Sequence, residues 1–416
     1  AIMLLGDRLN SLDVRRAIRR MLGRPEPVPK PVDQQIWYRS TKFVMRRAVP
    51  IGLAVVALLA VLGAPFFGVK PGFPDDRVLP KSASAHQVGD MLRADFAIDS
   101  DSEVAIVIPD SAGLDRAEVD RYAAALSMVA EVNSVSAPSG TFIGGRLAGP
   151  PLAATGEAGG ATLLTVGTSL PLFSDSSETQ LTRLHEVPTP GGRDVEFGGL
   201  AQTNRDSVAA ITSRLPLVLS LMAAIMLVLL FLLTGSVVLP IKALILNMLS
   251  LSAAFGAMVW VFQDGHLGAL GTTATGTLVA NMPVLLFCVA FGLSMDYEVF
   301  LVSRIREFWL ASPQTSADND ESVALGLAHT GRVITAAALI MAISFAALIA
   351  AQVALMRLFG TGLTLAILMD ATLVRLVLVP VFMHAMGKWN WWAPAPLVRL
   401  HRVLGISESG APRRSV

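Results

Sequence analysis

Four charged residues stand where an apolar chain has least use for them. Asp296 lies 18 residues after Leu278, inside a stretch that is otherwise apolar up to that point. A carboxylate in hydrocarbon is costly, so Asp296 is expected to face the interior of a helix bundle and to be protonated or paired. A carboxyl so placed can take a proton from one side and release it to the other when a cation or hydrogen-bond donor approaches, which is the chemistry of a proton carrier. Tyr297, one of only three tyrosines, follows at once. At about 100° between adjacent helix positions, the two side chains address different partners. Gly292, four residues before Asp296, and Ser294 leave room for close packing beside it. Glu298, nearer the end of the stretch, reads as an interfacial or helix-locking carboxylate.

Asp370 and Arg375 interrupt a second apolar stretch, Leu358 to Gly387. A spacing of five suits no ion pair within an α-helix, where neighbours lie three or four apart. Each is therefore expected to find a partner on a neighbouring helix or in water, with Arg375 biasing the protonation of Asp296 or Asp370. The plainer alternative is that both only staple the bundle. Lys242 reads as an interfacial anchor and His384 as a residue at the membrane edge. Trp389, Trp391 and Trp392 read as an aromatic belt.

Other chemistry is scarce. The single cysteine, Cys288, excludes an intrachain disulfide and a cysteine-built metal centre and reads as a small buried hydrophobe. The six histidines are scattered, and neither a phosphate-binding glycine loop nor a hydrolase motif is present. No cofactor, metal or enzymatic reaction is expected. A formal charge of +1, from 33 basic and 32 acidic residues, lacks the basic footprint of a nucleic-acid binder.

The elements that must hold these residues follow from hydropathy. The 416 residues are 53% hydrophobic and only 16% charged, with a mean hydropathy of +0.58, a membrane-protein composition. Six stretches can span a bilayer, at about 20 apolar residues each. They are Ala48 to Val69, two spans between Leu215 and Phe262 with a turn at Thr234 to Ser236, Leu278 to Ser303, Val333 to Met356, and Leu358 to Gly387. Ala1 to Leu5 reads as the stub of a preceding helix. Residues 7–47 carry 11 basic and 4 acidic residues, among them Arg15, Arg16, Arg19, Arg20, Arg46 and Arg47, which places this linker in the cytoplasm. Residues 70–213 then fall outside, 304–332 inside, and the 388–416 tail, with Arg413 and Arg414, inside.

The external segment alternates strand and helix patterns. Glu103 to Pro109, Val132 to Ala137, Ala161 to Leu170 and Asp194 to Gly199 read as strands; Leu114 to Ala130 and Ser174 to Val187 read as helices. Pro138 to Gly160 reads as a loop rich in glycine, proline and alanine. The order βαββαβ predicts a ferredoxin-like α+β domain. A last helix from Ala201 to Ser213 runs toward the second span, which leaves two readings open: a domain coupled mechanically to the membrane helices, or a passive receptor-like ectodomain.

The string Gly292-Leu-Ser-Met-Asp-Tyr-Glu-Val-Phe-Leu-Val-Ser-Arg-Ile-Arg-Glu307 resembles the MmpL branch of the RND superfamily, membrane proteins that export cell-envelope lipids in mycobacteria and related bacteria. Asp370-Ala-Thr-Leu-Val-Arg375, followed by Val379-Pro380, is similar to the motif of the family's last helix. The resemblance implies an α-helical polytopic half-transporter, with one span, an external porter domain, then five spans in a plasma membrane. It implies a proton path through Asp296, Tyr297, Asp370 and Arg375, with Gly292 and Ser294 packed beside it. It further implies an envelope lipid substrate and an N-terminal half, in the same or a separate chain, whose own Asp-Tyr pair would complete the site. Membrane lipids and envelope-assembly proteins are the other expected partners. A non-pumping lipid-binding scaffold and a nonfunctional half from a split gene are the alternatives.

Overall fold

A computed structural model describes residues 31–95 and 102–404 of the chain. The Ala1 to Leu5 stub, the arginines from Arg8 to Arg20, and Arg413 and Arg414 lie outside the described residues. Two helices open the described chain: α1 (Ile36–Arg46), with an apolar face on Thr41, Val44 and Met45, and α2 (Ala48–Gly63), wholly apolar. A short strand β1 (Pro71–Gly72) and α3 (Ser84–Asp95) follow. Arg93 clasps Asp76 through two hydrogen bonds of 2.7 Å. Those bonds hold the Asp76 carboxyl below its ordinary value of 3.8 and tie α3 to the loop before it.

An α/β unit comes next: β2 (Val104–Ile108), α4 (Arg116–Leu126), β3 (Val132–Ala137), β4 (Gly140–Ile143), β5 (Arg146–Gly149), β6 (Gly156–Ala158), β7 (Ala161–Thr168), α5 (Asp175–His185) and β8 (Glu196–Gly198). The sheet order is β5-β4-β3-β7-β2-β8, with β6 paired to β7. All pairs in it are antiparallel. Alternation in β2 buries Val104, Ile106 and Ile108 against Leu126, Leu164, Val166, Leu181 and Leu184. Burying each such side chain contributes about 1.5–3 kcal/mol. Both helices start where the sequence supplies a cap, Asp115 accepting from the Ala117 amide and Ser174 from that of Ser177. The 138–160 segment, expected as a loop, forms three strands instead. Its glycines allow the tight turns between β4 and β5, where Gly144 and Gly145 take positive φ.

The remaining helices are α6 (Leu200–Thr234), α7 (Val238–Met258), α8 (Asn281–Leu310), α9 (Ser316–Ala346), α10 (Ala354–Met369), α11 (Val379–Met386) and α12 (Ala395–Leu404), with strand β9 (Leu278–Val279) before α8. Strand β9 pairs with β1. Six helices are long and apolar enough to cross a membrane: Ala48–Gly68, Leu200–Thr234, Val238–Gln263, Asn281–Leu310, Ser316–Ala350 and Ala354–Trp391. Helix α6 is continuous from the sheet into its apolar part, with Pro216 inside it, and stops at Gly235 in the left-handed conformation. Helix α7 lies at the centre, with Leu246, Ala253, Ala254 and Met258 all buried. Its Gly256 lets α2 come so near that an added Cβ would lie 2.0 Å from the Leu62 carbonyl oxygen. Helix α10 continues into α11 through a π-helical stretch, Asp370–Leu378.

Three side chains sit otherwise than their local sequence suggests. Cys288 is free and only half-buried, because its helix is covered on one side alone. Trp391 is not part of a belt with its neighbours: the 3-10 turn Gly387–Trp391 folds its ring back onto Trp309, stacked at 5.3 Å, and its Nε1 donates to Asn319 Oδ1 at 3.1 Å. Trp389 and Trp392 remain exposed. Lys242, expected at an interface, is buried inside the bundle.

Candidate functional site

The site forms where α7, α8 and the π stretch after α10 meet. In an α-helix, residues five apart lie about 140° round the axis, at roughly 100° per residue. The π-helix closes its hydrogen bonds between residues five apart, and so brings Asp370 and Arg375 onto one side. Arg375 then donates to Asp370 Oδ2 from Nε at 2.9 Å and from Nη2 at 2.8 Å. The expectation that this spacing forbids an intrahelical pair is thereby corrected. Arg375, 1% exposed, also reaches α8: Nη2 donates to the Ser294 carbonyl and to Ser294 Oγ at 3.1 Å, and Nη1 lies 3.5 Å from Glu298 Oε2. A guanidinium is suited to this, since its fork of donors can serve several acceptors at once.

Helix α8 presents two faces. Ser294, Glu298, Leu301, Val302 and Ile305 turn inward and are buried. Gly292, Asp296 and Phe300, spaced by four, are exposed on the opposite side. Asp296 therefore does not face the interior of this bundle, and Arg375 bears on Asp370, not on Asp296. The physical reason is angular. Asp296 and Glu298 are two residues apart and about 200° round the helix, so only one can face inward, and the larger apolar residues around Glu298 decide which. Gly292 has open space where a Cβ would stand. Tyr297 lies between the two faces, its hydroxyl 3.2 Å from Met341 Sδ on α9 and its ring under the Arg375 guanidinium at 5.4 Å. Ser294, expected only to pack, supplies two hydrogen-bond acceptors.

The structure thus gathers Asp370, Arg375, Ser294 and Tyr297, leaves Asp296 and Gly292 on an outer face, and adds Glu298 and Lys242, which the sequence reads as peripheral, and Asn247 and Ser250, which it does not single out. For Glu298 the signal was available: Phe291, Ser294, Glu298, Leu301 and Ile305 recur at helical spacing and bury one stripe. For Lys242 there was none, because a lysine near a helix end reads as an anchor. The arrangement can hold a proton on a carboxyl and alter the affinity for that proton by moving a guanidinium. Among the described residues no group of histidine, cysteine, aspartate and glutamate could hold a metal ion.

Residues 77–403 match the profile of the MMPL family. The chain is 35% identical over 416 residues to a membrane protein of Streptomyces coelicolor, covering 98% of this chain and 54% of that protein. It is 30% identical over 386 residues to the trehalose monomycolate exporter MmpL3 of Mycobacterium tuberculosis, covering 92% of this chain and 40% of the exporter. A 222-residue stretch is 39% identical to the heme uptake protein MmpL11 of the same organism, covering 53% of this chain and 22% of that protein. The chain spans about half the length, or less, of these relatives.

Proposed function

The chain belongs to the MMPL family, and from that premise we propose that it is the C-terminal half of a proton-motive-force-driven exporter of cell-envelope lipid or glycolipid. The observation that carries the reading is the outward face of α8, where Asp296 and Gly292 lie exposed on an apolar span. A carboxylate there cannot remain against lipid without cost, so another helix must cover it. The open space beside Gly292 allows close approach of that helix, and a second Asp-Tyr pair on it would complete the proton site. A relative that exports trehalose monomycolate supports an acylated sugar as substrate class.

In this reading residues 7–47, 304–332 and 388–416 lie in the cytoplasm and residues 70–213 outside. The α/β unit is the ferredoxin-like porter domain. The β8-β2-β7-β3 order, with α4 and α5 as the two crossovers, supports that assignment. Asp296 takes a proton from outside, its pairing with the other half changes, and Arg375 adjusts its hold on Asp370 as the helices shift. The unbroken α6 carries the shift to the porter domain.

Asp296→Asn tests this in the protein as its host makes it, because the amide keeps size and hydrogen bonding but carries no proton. Export of envelope lipid should cease while the amount of protein in the membrane stays the same. Undiminished export would sink the proton-driven reading and leave a scaffold that recruits partners without pumping.

A further inference from the structure

Lys242, Glu298 and Asn247 are buried polar groups that this scheme does not use, with 6%, 6% and 4% exposure. Lys242 enters from the first turns of α7, near the end of the bundle where Gly235 ends α6. Lys242 Nζ, Glu298 Oε1 and Asn247 Oδ1 have no hydrogen-bond partner among the described residues. Glu298 lies within electrostatic reach of Lys242 on one side and 3.5 Å from Arg375 on the other. Two small cavities, each of about 10 Å³, lie beside Asn247, and one of them also beside Glu298; Lys242 lines neither. One is lined by Asn247, Ser250, Ser294, Tyr297 and Asp370, the other by Asn247, Ser294, Glu298 and Asp370 among others. Each has about the room one water needs, and polar walls to hold it. Buried polar groups without partners are costly, and a water seated in a cavity beside one can supply a missing hydrogen bond.

We propose that the two cavities are hydrated and that Glu298 is a second proton-carrying group, receiving a proton from Asp370 through water held by Asn247 and Ser294. Glu298 passes the proton on toward the end of the bundle at which Lys242 stands. Lys242 is the positioning residue: its ammonium draws the Glu298 carboxylate to its side of the bundle between transfers. Only O–H bonds change. Water gives a proton to Glu298 Oε1 as it takes one from Asp370, and Glu298 later gives its proton to water on the Lys242 side. The charged groups facing Glu298 are Lys242 from α7 and Asp370 and Arg375 from the π stretch. Leu215–Thr234 of α6 and Val333–Ala346 of α9 carry no ionisable side chain. The proposal rests on the proton-driven reading above and adds a route through the bundle to it.

The competing role for the Lys242 and Glu298 pair is a charge staple, and paired substitutions separate the two. The protein as its host makes it is reconstituted into liposomes with a pH-sensitive dye inside, and proton entry is followed after external acidification. Glu298→Gln should lower the initial flux by about a hundredfold, the scale of a lost acid–base group. Lys242→Met should move the pH of half-maximal flux, and Lys242→Arg should restore it. The double variant Lys242→Met/Glu298→Gln leaves no buried charge unpaired at this position, so it should melt like the parent yet pass no protons. Flux that survives Glu298→Gln, or returns in the double variant, overturns the proposal and makes the pair a staple. Absence of flux in the unsubstituted protein overturns the proton-driven reading, and this route with it; flux in the parent with an unaffected Glu298→Gln overturns the route alone.

Discussion

At the scale of single residues, Arg375 does most to organise the site. It bonds Asp370 within its own π stretch and Ser294 across on α8, and it faces Glu298, with almost none of its surface exposed. Removing one member of a buried charge set strands the others, at a cost of about 3–5 kcal/mol. Arg375→Met should therefore lower the thermal midpoint in detergent markedly. Arg375→Lys should recover little of it, since an ammonium cannot serve acceptors on two helices in the fork geometry of a guanidinium. A melt unchanged in Arg375→Met would show that this network contributes nothing to stability. Which residues bear charge inside the membrane was legible in the chain, because Asp296, Glu298, Asp370 and Arg375 are conspicuous against apolar neighbours. Which of them point inward was not. The local sequence points Asp296 inward and Glu298 to the periphery, and the packing of Leu301, Val302 and Ile305 rotates the helix the other way.

At the scale of elements, two close fits decide the architecture. One is the crossing of α2 and α7, where Gly256 stands against the Leu62 carbonyl and Gly63 against Ser252. Small residues at such a crossing let backbones approach, which is how helices associate in lipid. Gly256→Val should force the first span away from the bundle, at a cost of at least about 1–3 kcal/mol. The measurable outcome is lower yield of folded protein and a lower melting midpoint, while a solvent-side change such as Glu157→Gln leaves both as they were. Parental stability in Gly256→Val would mean that the two helices do not pack as described. The second fit is the π stretch at Asp370–Leu378. Its wider turn cannot be read from periodicity, because one residue of extra winding costs little pattern in a stretch whose remaining residues are nearly all apolar. The strands of the 138–160 segment were hidden for a different reason: short pairs at a sheet edge, turned by glycines, have too few residues for alternation to show.

At the scale of the whole molecule, the C-terminal end of the described chain is tied to the bundle by a titratable contact. His401 on α12 makes a 3.1 Å hydrogen bond with the Leu232 carbonyl and packs edge-on against Phe231. Burial, with the nearby Arg306 charge second, pushes this imidazole below its ordinary value of 6.5. A histidine depressed in this way contributes its docking in full above about 6.5 and loses it as pH falls through the lower folded value. Amide exchange in Ala395–Leu404 should therefore rise on acidification below neutrality, and His401→Gln should abolish that dependence. Exchange independent of pH in the parent would refute the contact. Asp76 behaves in the opposite range: its clasp by Arg93 is complete above 3.8 and gives way only in stronger acid, so exchange in α3 should stay flat through the pH range that frees α12. By itself the sequence determined that six segments are long and apolar enough to span a membrane, where an α/β unit interrupts them, and which charges those segments contain, because hydropathy, period and composition are local properties of the chain. Tertiary structure alone decided the rotation of α8, the burial of Lys242 and the joining of Asp370 to Arg375. Each depends on which neighbour a helix meets and how closely, and that is a property of the assembled bundle.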